Sequence, residues 1–140
     1  MKARLDHIGI AVTDLAQALA FYRDALGLDV SLPHDVPTER IRATFVGLGG
    51  PTLELLEATG PESAIAKFTA RHGPGIHHIT LEVEDLQAVL DRLKARGVRL
   101  VDETPRAGAH GSLVAFIHPS AAQGVLVELM QPAVPGDAAR

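Results

Sequence analysis

Apolar and polar positions run through one pattern twice along this chain. Leu5–Val12 is apolar and β-branched and predicts a strand. Thr13 or Asp14 then offers a helix cap. Leu15, Ala18, Leu19, Tyr22, Ala25 and Leu26 recur at helical spacing, so the helix should run to about Leu26, with Gly27 as its left-handed cap. Leu28–Val36, Arg42–Leu48 and Thr52–Glu57 read as three further strands. Pro61–Arg71 predicts a linking helix. The order then returns: a strand over Gly75–Val83, a helix over about Leu86–Arg96, and strands over Val98–Val101, Leu113–His118 and Val125–Met130. A flexible tail is expected from Pro132 to Arg140.

The repetition extends to individual residues. His7-Ile-Gly-Ile-Ala-Val-Thr-Asp-Leu aligns with His78-Ile-Thr-Leu-Glu-Val-Glu-Asp-Leu, 71 residues later. Leu53-Glu54-Leu55 aligns with Val127-Glu128-Leu129, 74 residues later. The reading is an α+β fold in one domain over 1–140. Its parts are two pseudo-symmetric βαβββ modules, 4–58 and 75–131, joined by a linking helix within 59–74. The modules should form a curved mixed sheet around a metal-binding cleft.

The duplication matters because each half offers a histidine on its first strand and a glutamate on its last. Glu54 and Glu128 interrupt strongly apolar runs. Strand alternation aims most such glutamates at water, and a carboxylate aimed inward is costly unless paired or metal-bound. Lone histidines in apolar strands are usually structural. Matched pairs at repeat-related positions instead suit a site in which His7, Glu54, His78 and Glu128 hold one divalent ion. Such nitrogen and oxygen ligands fit Co, Mn, Ni, Zn or Fe(II). His77 alternates to the opposite side and reads as structural.

Composition narrows the classes. The chain of 140 residues is 46% hydrophobic and 21% charged, so it can build a core. A net charge of −4 disfavours nucleic-acid binding. With no cysteine, thiolate chemistry and disulfides are excluded. Met1–Val12 holds only a short apolar run, and no segment approaches the roughly 20 apolar residues that span a bilayer. No membrane association and a cytoplasmic location are therefore expected. Gly47, Gly49 and Gly50 lack a following GKS or GKT and read as a turn.

The sequence resembles the vicinal oxygen chelate superfamily, and within it the methylmalonyl-CoA epimerase family. The resemblance lies in Asp6-His7-Ile-Gly-Ile-Ala-Val, Glu54-Leu-Leu-Glu-Ala, Ser63-Ala-Ile-Ala-Lys-Phe and Gly73-Pro-Gly-Ile-His-His. It continues through Gly97-Val-Arg-Leu-Val-Asp-Glu-Thr-Pro-Arg, Gly108-Ala-His-Gly, Phe116-Ile-His-Pro and Gly124-Val-Leu-Val-Glu-Leu. It implies paired βαβββ modules, a homodimer, an acyl-CoA substrate and a divalent metal, commonly cobalt, on His7, Glu54, His78 and Glu128. It also implies α-proton abstraction through a metal-stabilised enolate.

Three positions depart from the family pattern. A glutamate proposed as a base in some members falls on Ala43. An acidic residue near it falls on Thr38, with Glu39 one position on. A lysine after the His-Pro pair falls on Ser120. The acid and base are therefore sought among Glu54, Glu128 and Glu39. His110 and His118 are offered for the thioester or carboxylate, and Arg99 and Arg106 for a CoA tail. Lys67 reads as surface charge. Three other functions compete. A glyoxalase I-type lactoylglutathione lyase shares the metal logic, an Fe(II) extradiol dioxygenase leaves Glu54 unexplained, and a metal-free drug-sequestering module needs none of the four residues.

Overall fold

In the computed structural model, which describes residues 1–134, the first strand β1 (Ala3–Val12) gives way to a helix at Asp14. The Asp14 carboxylate accepts the Gln17 N–H at 3.1 Å, as an N-cap should. Helix α1 (Leu15–Leu19) continues as a π-helical turn over Ala20–Ala25, and the Leu26 N–H reaches back to Phe21 O. Gly27 follows at φ 77°, the left-handed conformation foreseen for it. The remaining elements are β2 (His34–Val36), β3 (Ile41–Gly47), β4 (Thr52–Ala58), α2 (Ala64–His72), β5 (Gly75–Val83) and α3 (Leu86–Ala95). They end with β6 (Arg106–Ala107), β7 (Leu113–Ile117) and β8 (Leu126–Gln131).

The described chain divides into two compact units, His7–His77 and a second made of Met1–Asp6 with the chain from His78 onward. The first has strand order β2-β3-β4-β1, with β1 and β4 parallel and the other neighbours antiparallel. Alternation divides its residues between two faces. Val46, Leu53 and Leu55 pack with Ile10 and Val12 against Leu15 and Leu19 of α1. Ala11, Ile41, Ala43 and Leu56 occupy the other face with Ile65 and Phe68 of α2. Buried Ser63 caps α2 by accepting the Ile65 N–H.

The second unit has the order β5-β8-β7-β6, again with its first and last long strands, β5 and β8, parallel. Val83, Ala115, Val127 and Leu129 pack on Leu86, Val89 and Leu90 of α3. Asp85 caps that helix through the Ala88 N–H. A further acceptor comes from the last strand of each unit. Glu57 Oε2 takes the Leu15 N–H at 2.7 Å, and Gln131 Oε1 takes the Leu86 N–H at 2.8 Å. These residues are 74 apart, so the duplication preserves a tether from each sheet to its helix.

Several predicted elements differ from the observed ones. The strand expected over Leu28–Val36 is regular only at His34–Val36, with Val30 held to Val46 by one bridge. Pro33 has no N–H to give a ladder. The strand expected over Val98–Val101 is only a bridge from Leu100 to Ile117. There the Asp102 carboxylate takes the Phe116 N–H at 2.8 Å, while the Val101 and Asp102 N–H groups share Phe116 O. A side chain thus replaces the backbone partner, and the edge beside β7 is completed by β6, which lies after Pro105. The strand expected to end at His118 ends at Ile117, because the His118 ring accepts the Ser120 N–H and caps a 3₁₀ turn over Pro119–Ala122. Pro132–Val134 lack regular structure; the rest of the expected tail lies outside the described residues.

The tether predicts an ordered series of stabilities in urea unfolding. Glu57→Ala and Gln131→Ala should each cost about 1–2 kcal/mol, since each orphans a helix N–H. Glu57→Gln should cost only a few tenths of a kcal/mol, because the acceptor stays and only the charge at the helix N-terminus is lost.

Candidate metal centre

Helices α1 and α3 each cover one side of a sheet, and alternation turns the candidate histidines and glutamates to the opposite side. In the first unit, Gly9 of β1 lies opposite Glu54 of β4, and Ala11 opposite Leu56. Ala11 and Leu56 share a core cluster on the side away from α1. His7 and Glu54 have the same parity and so face that side too. His7 Nε2 stands 4.0 Å from Glu54 Oε1, with the side chains only 13% and 18% exposed. That separation is longer than a hydrogen bond. It lies within the limit of about 4.2 Å for two donors that each stand about 2.1 Å from one shared cation. An imidazole and a carboxylate sheltered together, with no thiol in the chain, form a donor set that fits a borderline divalent ion.

The second unit repeats the construction. Thr80 of β5 lies opposite Glu128 of β8, which in turn lies opposite Phe116 of β7. The Thr80 hydroxyl donates to Glu128 Oε1 at 2.8 Å. His78 is 7% exposed, and its ring meets Phe116 edge-on at 6.5 Å. The Arg106 guanidinium lies over the same Phe116 ring, 5.3 Å from its centroid, and pairs with Asp102 at 3.3 Å.

The other sequence candidates have plainer surroundings. His77 meets Phe68 of α2 edge-on at 5.1 Å, and burial holds its imidazole below the usual pKa, so it is a packed neutral side chain. Ala43 is a core methyl opposite Leu56. Glu39 is exposed in the turn between β2 and β3. Ile41 pairs with Ala58 while Phe45 pairs with Glu54, so Glu39 lies beyond the far end of that ladder, roughly 13 Å or more from Glu54 along the strands. Thr38 is exposed in the same turn. His110 sits exposed at φ 56°, and the His118 ring is engaged by Ser120. Arg99 and Lys67 are exposed. A cavity of about 470 Å³ lined by Asp14, Leu19, Asp35, Arg42 and Glu57 opens on the α1 side of the first sheet and contains none of the proposed ligands.

Sequence reasoning missed Thr80, Glu57 and Gln131. Thr80 had one visible signal, a hydroxyl between Ile79 and Leu81 where the first copy has Gly9. Its partner became evident only from strand register.

Comparison with known proteins agrees with this architecture. Residues 6–116 match the family model of the glyoxalase/bleomycin resistance protein/dioxygenase superfamily. The chain is 45% identical over 133 residues to an ethylmalonyl-CoA/methylmalonyl-CoA epimerase of Cereibacter sphaeroides, covering 94% of this chain and 99% of that protein. It is 41% identical over 129 residues to the mitochondrial methylmalonyl-CoA epimerase of Bos taurus, covering 91% of this chain and 74% of that protein. A solved methylmalonyl-CoA epimerase in complex with methylmalonyl-CoA and NH4+ superimposes with a TM-score of 0.84 at 35% identity, covering 96% of this chain and 97% of that one. With two matched histidine and glutamate positions on a duplicated βαβββ frame, the chain belongs to the methylmalonyl-CoA epimerase family of the glyoxalase/bleomycin resistance protein/dioxygenase superfamily.

Proposed function

We propose that this protein interconverts (S)- and (R)-methylmalonyl-CoA, with His7, Glu54, His78 and Glu128 as ligands of one divalent ion and Glu54 as the proton-transferring base. The observation that carries this reading is the sheltered His7–Glu54 pair, an imidazole and a carboxylate 4.0 Å apart. His7, Glu54 and His78 are each sheltered and each carry a donor atom that such an ion takes. Glu128 joins them as the repeat equivalent of Glu54. Co²⁺ is the proposed ion, with Mn²⁺, Ni²⁺ and Zn²⁺ as alternatives suited to the same donors.

When bound, the ion supplies positive charge that stabilises the negative charge developing on the thioester oxygen. The chain's own residues do the rest. Inversion at the α-carbon needs a proton taken from one face and one returned to the other. Glu54 takes the first role. Its cross-strand neighbour Gly9 contributes no side chain. Glu128 is the repeat-related counterpart for the opposite face. Glu39 is set aside because its turn lies beyond the far end of the β3–β4 ladder. His77 stays neutral in its packing against Phe68 and takes no part.

Among the described residues no helix is long and apolar enough to cross a membrane. We place the enzyme in the cytoplasm as a homodimer, acting on a small acyl-CoA and on no nucleic acid. Sedimentation checks the dimer.

Deuterium uptake at the α-carbon of methylmalonyl-CoA in heavy water tests the reaction. Exchange should require both protein and Co²⁺; a glutathione hemithioacetal should not turn over under the same conditions. Metal-independent exchange, or none at all in metal-loaded protein, would sink the assignment. Glu54→Gln should lower kcat by about 10²-fold or more while the metal is retained. Near wild-type turnover would remove Glu54 as the base. Co²⁺ at 100 times its Kd should raise unfolding free energy by about 2.7 kcal/mol, read as a rise in Tm that a chelator reverses.

A further inference from the structure

We propose that Thr80 is a positioning residue whose hydroxyl orients the Glu128 carboxylate for metal binding, and that this makes the two repeat-related glutamates unequal. The inference rests on the metal reading given above.

Thr80 is fully buried, at 0% exposure. Its flanking residues Ile79 and Leu81 turn to the opposite face and pack on α3. A buried hydroxyl without a partner costs roughly 1–3 kcal/mol, so its retention here calls for one. The partner is Glu128 Oε1 at 2.8 Å, directly opposite in the parallel ladder. A hydroxyl that donates to an ionised carboxylate makes a short, strong bond. It removes one rotational choice from the carboxylate. Residues that orient a ligand in this way typically govern metal affinity by about 10–100-fold.

The repeat supplies an internal control. At the matching register in the first unit, Gly9 lies opposite Glu54 and has no side chain to donate. Backbone pairing is the same in both copies, so the residue opposite the glutamate is what differs, glycine in one and threonine in the other. Glu128 thereby gains an orienting hydroxyl from its own ladder.

Thr80→Val and Thr80→Ser separate orientation from packing. Valine keeps the shape and loses the hydroxyl; serine keeps the hydroxyl and loses a methyl. We expect Thr80→Val to weaken Co²⁺ binding by about 10–100-fold, measured by chelator competition, and to alter the visible absorption of bound Co²⁺. Thr80→Ser should bind Co²⁺ within about 3-fold of wild type and keep its spectrum, whatever its Tm. If Thr80→Val binds Co²⁺ as tightly as wild type, or if serine fails as badly as valine, the orienting role is wrong. If the valine chain does not fold, Thr80→Ala serves as the hydroxyl-free variant and decides in the same way. Wild-type protein that binds no Co²⁺ at all would instead overturn the metal reading itself.

Discussion

Parallel pairing of the first and last long strands in each unit is the constraint on which the rest depends. β1 runs beside β4 and β5 beside β8, in registers that put Gly9 opposite Glu54 and Thr80 opposite Glu128. A one-residue slip in either ladder would turn every side chain of that strand to the other face. The helix-side clusters oppose such a slip. Leu55 is fully buried on the α1 side, and Leu129 is almost fully buried on the α3 side. Moving either of them toward water would cost about 2 kcal/mol. The apolar faces thus hold the carboxylates where they are, and the geometry of the candidate site follows from core packing.

That placement carries its own expense. A sheltered carboxylate is unfavourable unless something compensates its charge. Glu128 accepts a hydrogen bond from the Thr80 hydroxyl, and Glu54 stands beside the imidazole of His7. Elsewhere acidic and polar side chains near the sheets do ordinary work. Glu57 and Gln131 cap helices, and Asp102 ends a strand by taking a backbone N–H. The helix-capping acceptors lie on the α1 and α3 sides and the candidate ligands on the opposite faces, so the two tasks never compete for the same residues.

Much of this was legible in the sequence because both repeats carry it. Helix starts at Asp14 and Asp85, the left-handed Gly27 and Gly97, and the histidine and glutamate pairs all recur at near-constant spacing. The misread segments, Leu28–Val36 and Val98–Val101, lie at corresponding places after each helix. Both have enough apolar content to suggest a strand. Both are edge segments whose pairing is limited by something that hydrophobic content does not encode: Pro33 in one case, the Asp102 carboxylate in the other. Thr80 was hidden for a different reason. Alternation says which way a threonine points, but only strand register says what it meets.

Duplication alone would give two like carboxylates on one ion, and like groups are poorly suited to unlike tasks. Where one fold assigns two carboxyl groups separate roles, their environments differ. Here the difference sits at the position opposite each glutamate, glycine in one copy and threonine in the other. A hydroxyl restrains a carboxylate more cheaply than a charged partner would. It brings no net charge to a site proposed to attract a cation and an acyl-CoA together. Divergence between the halves is then expected first at residues touching the ligands, and last at the strand and helix positions that keep both copies in register.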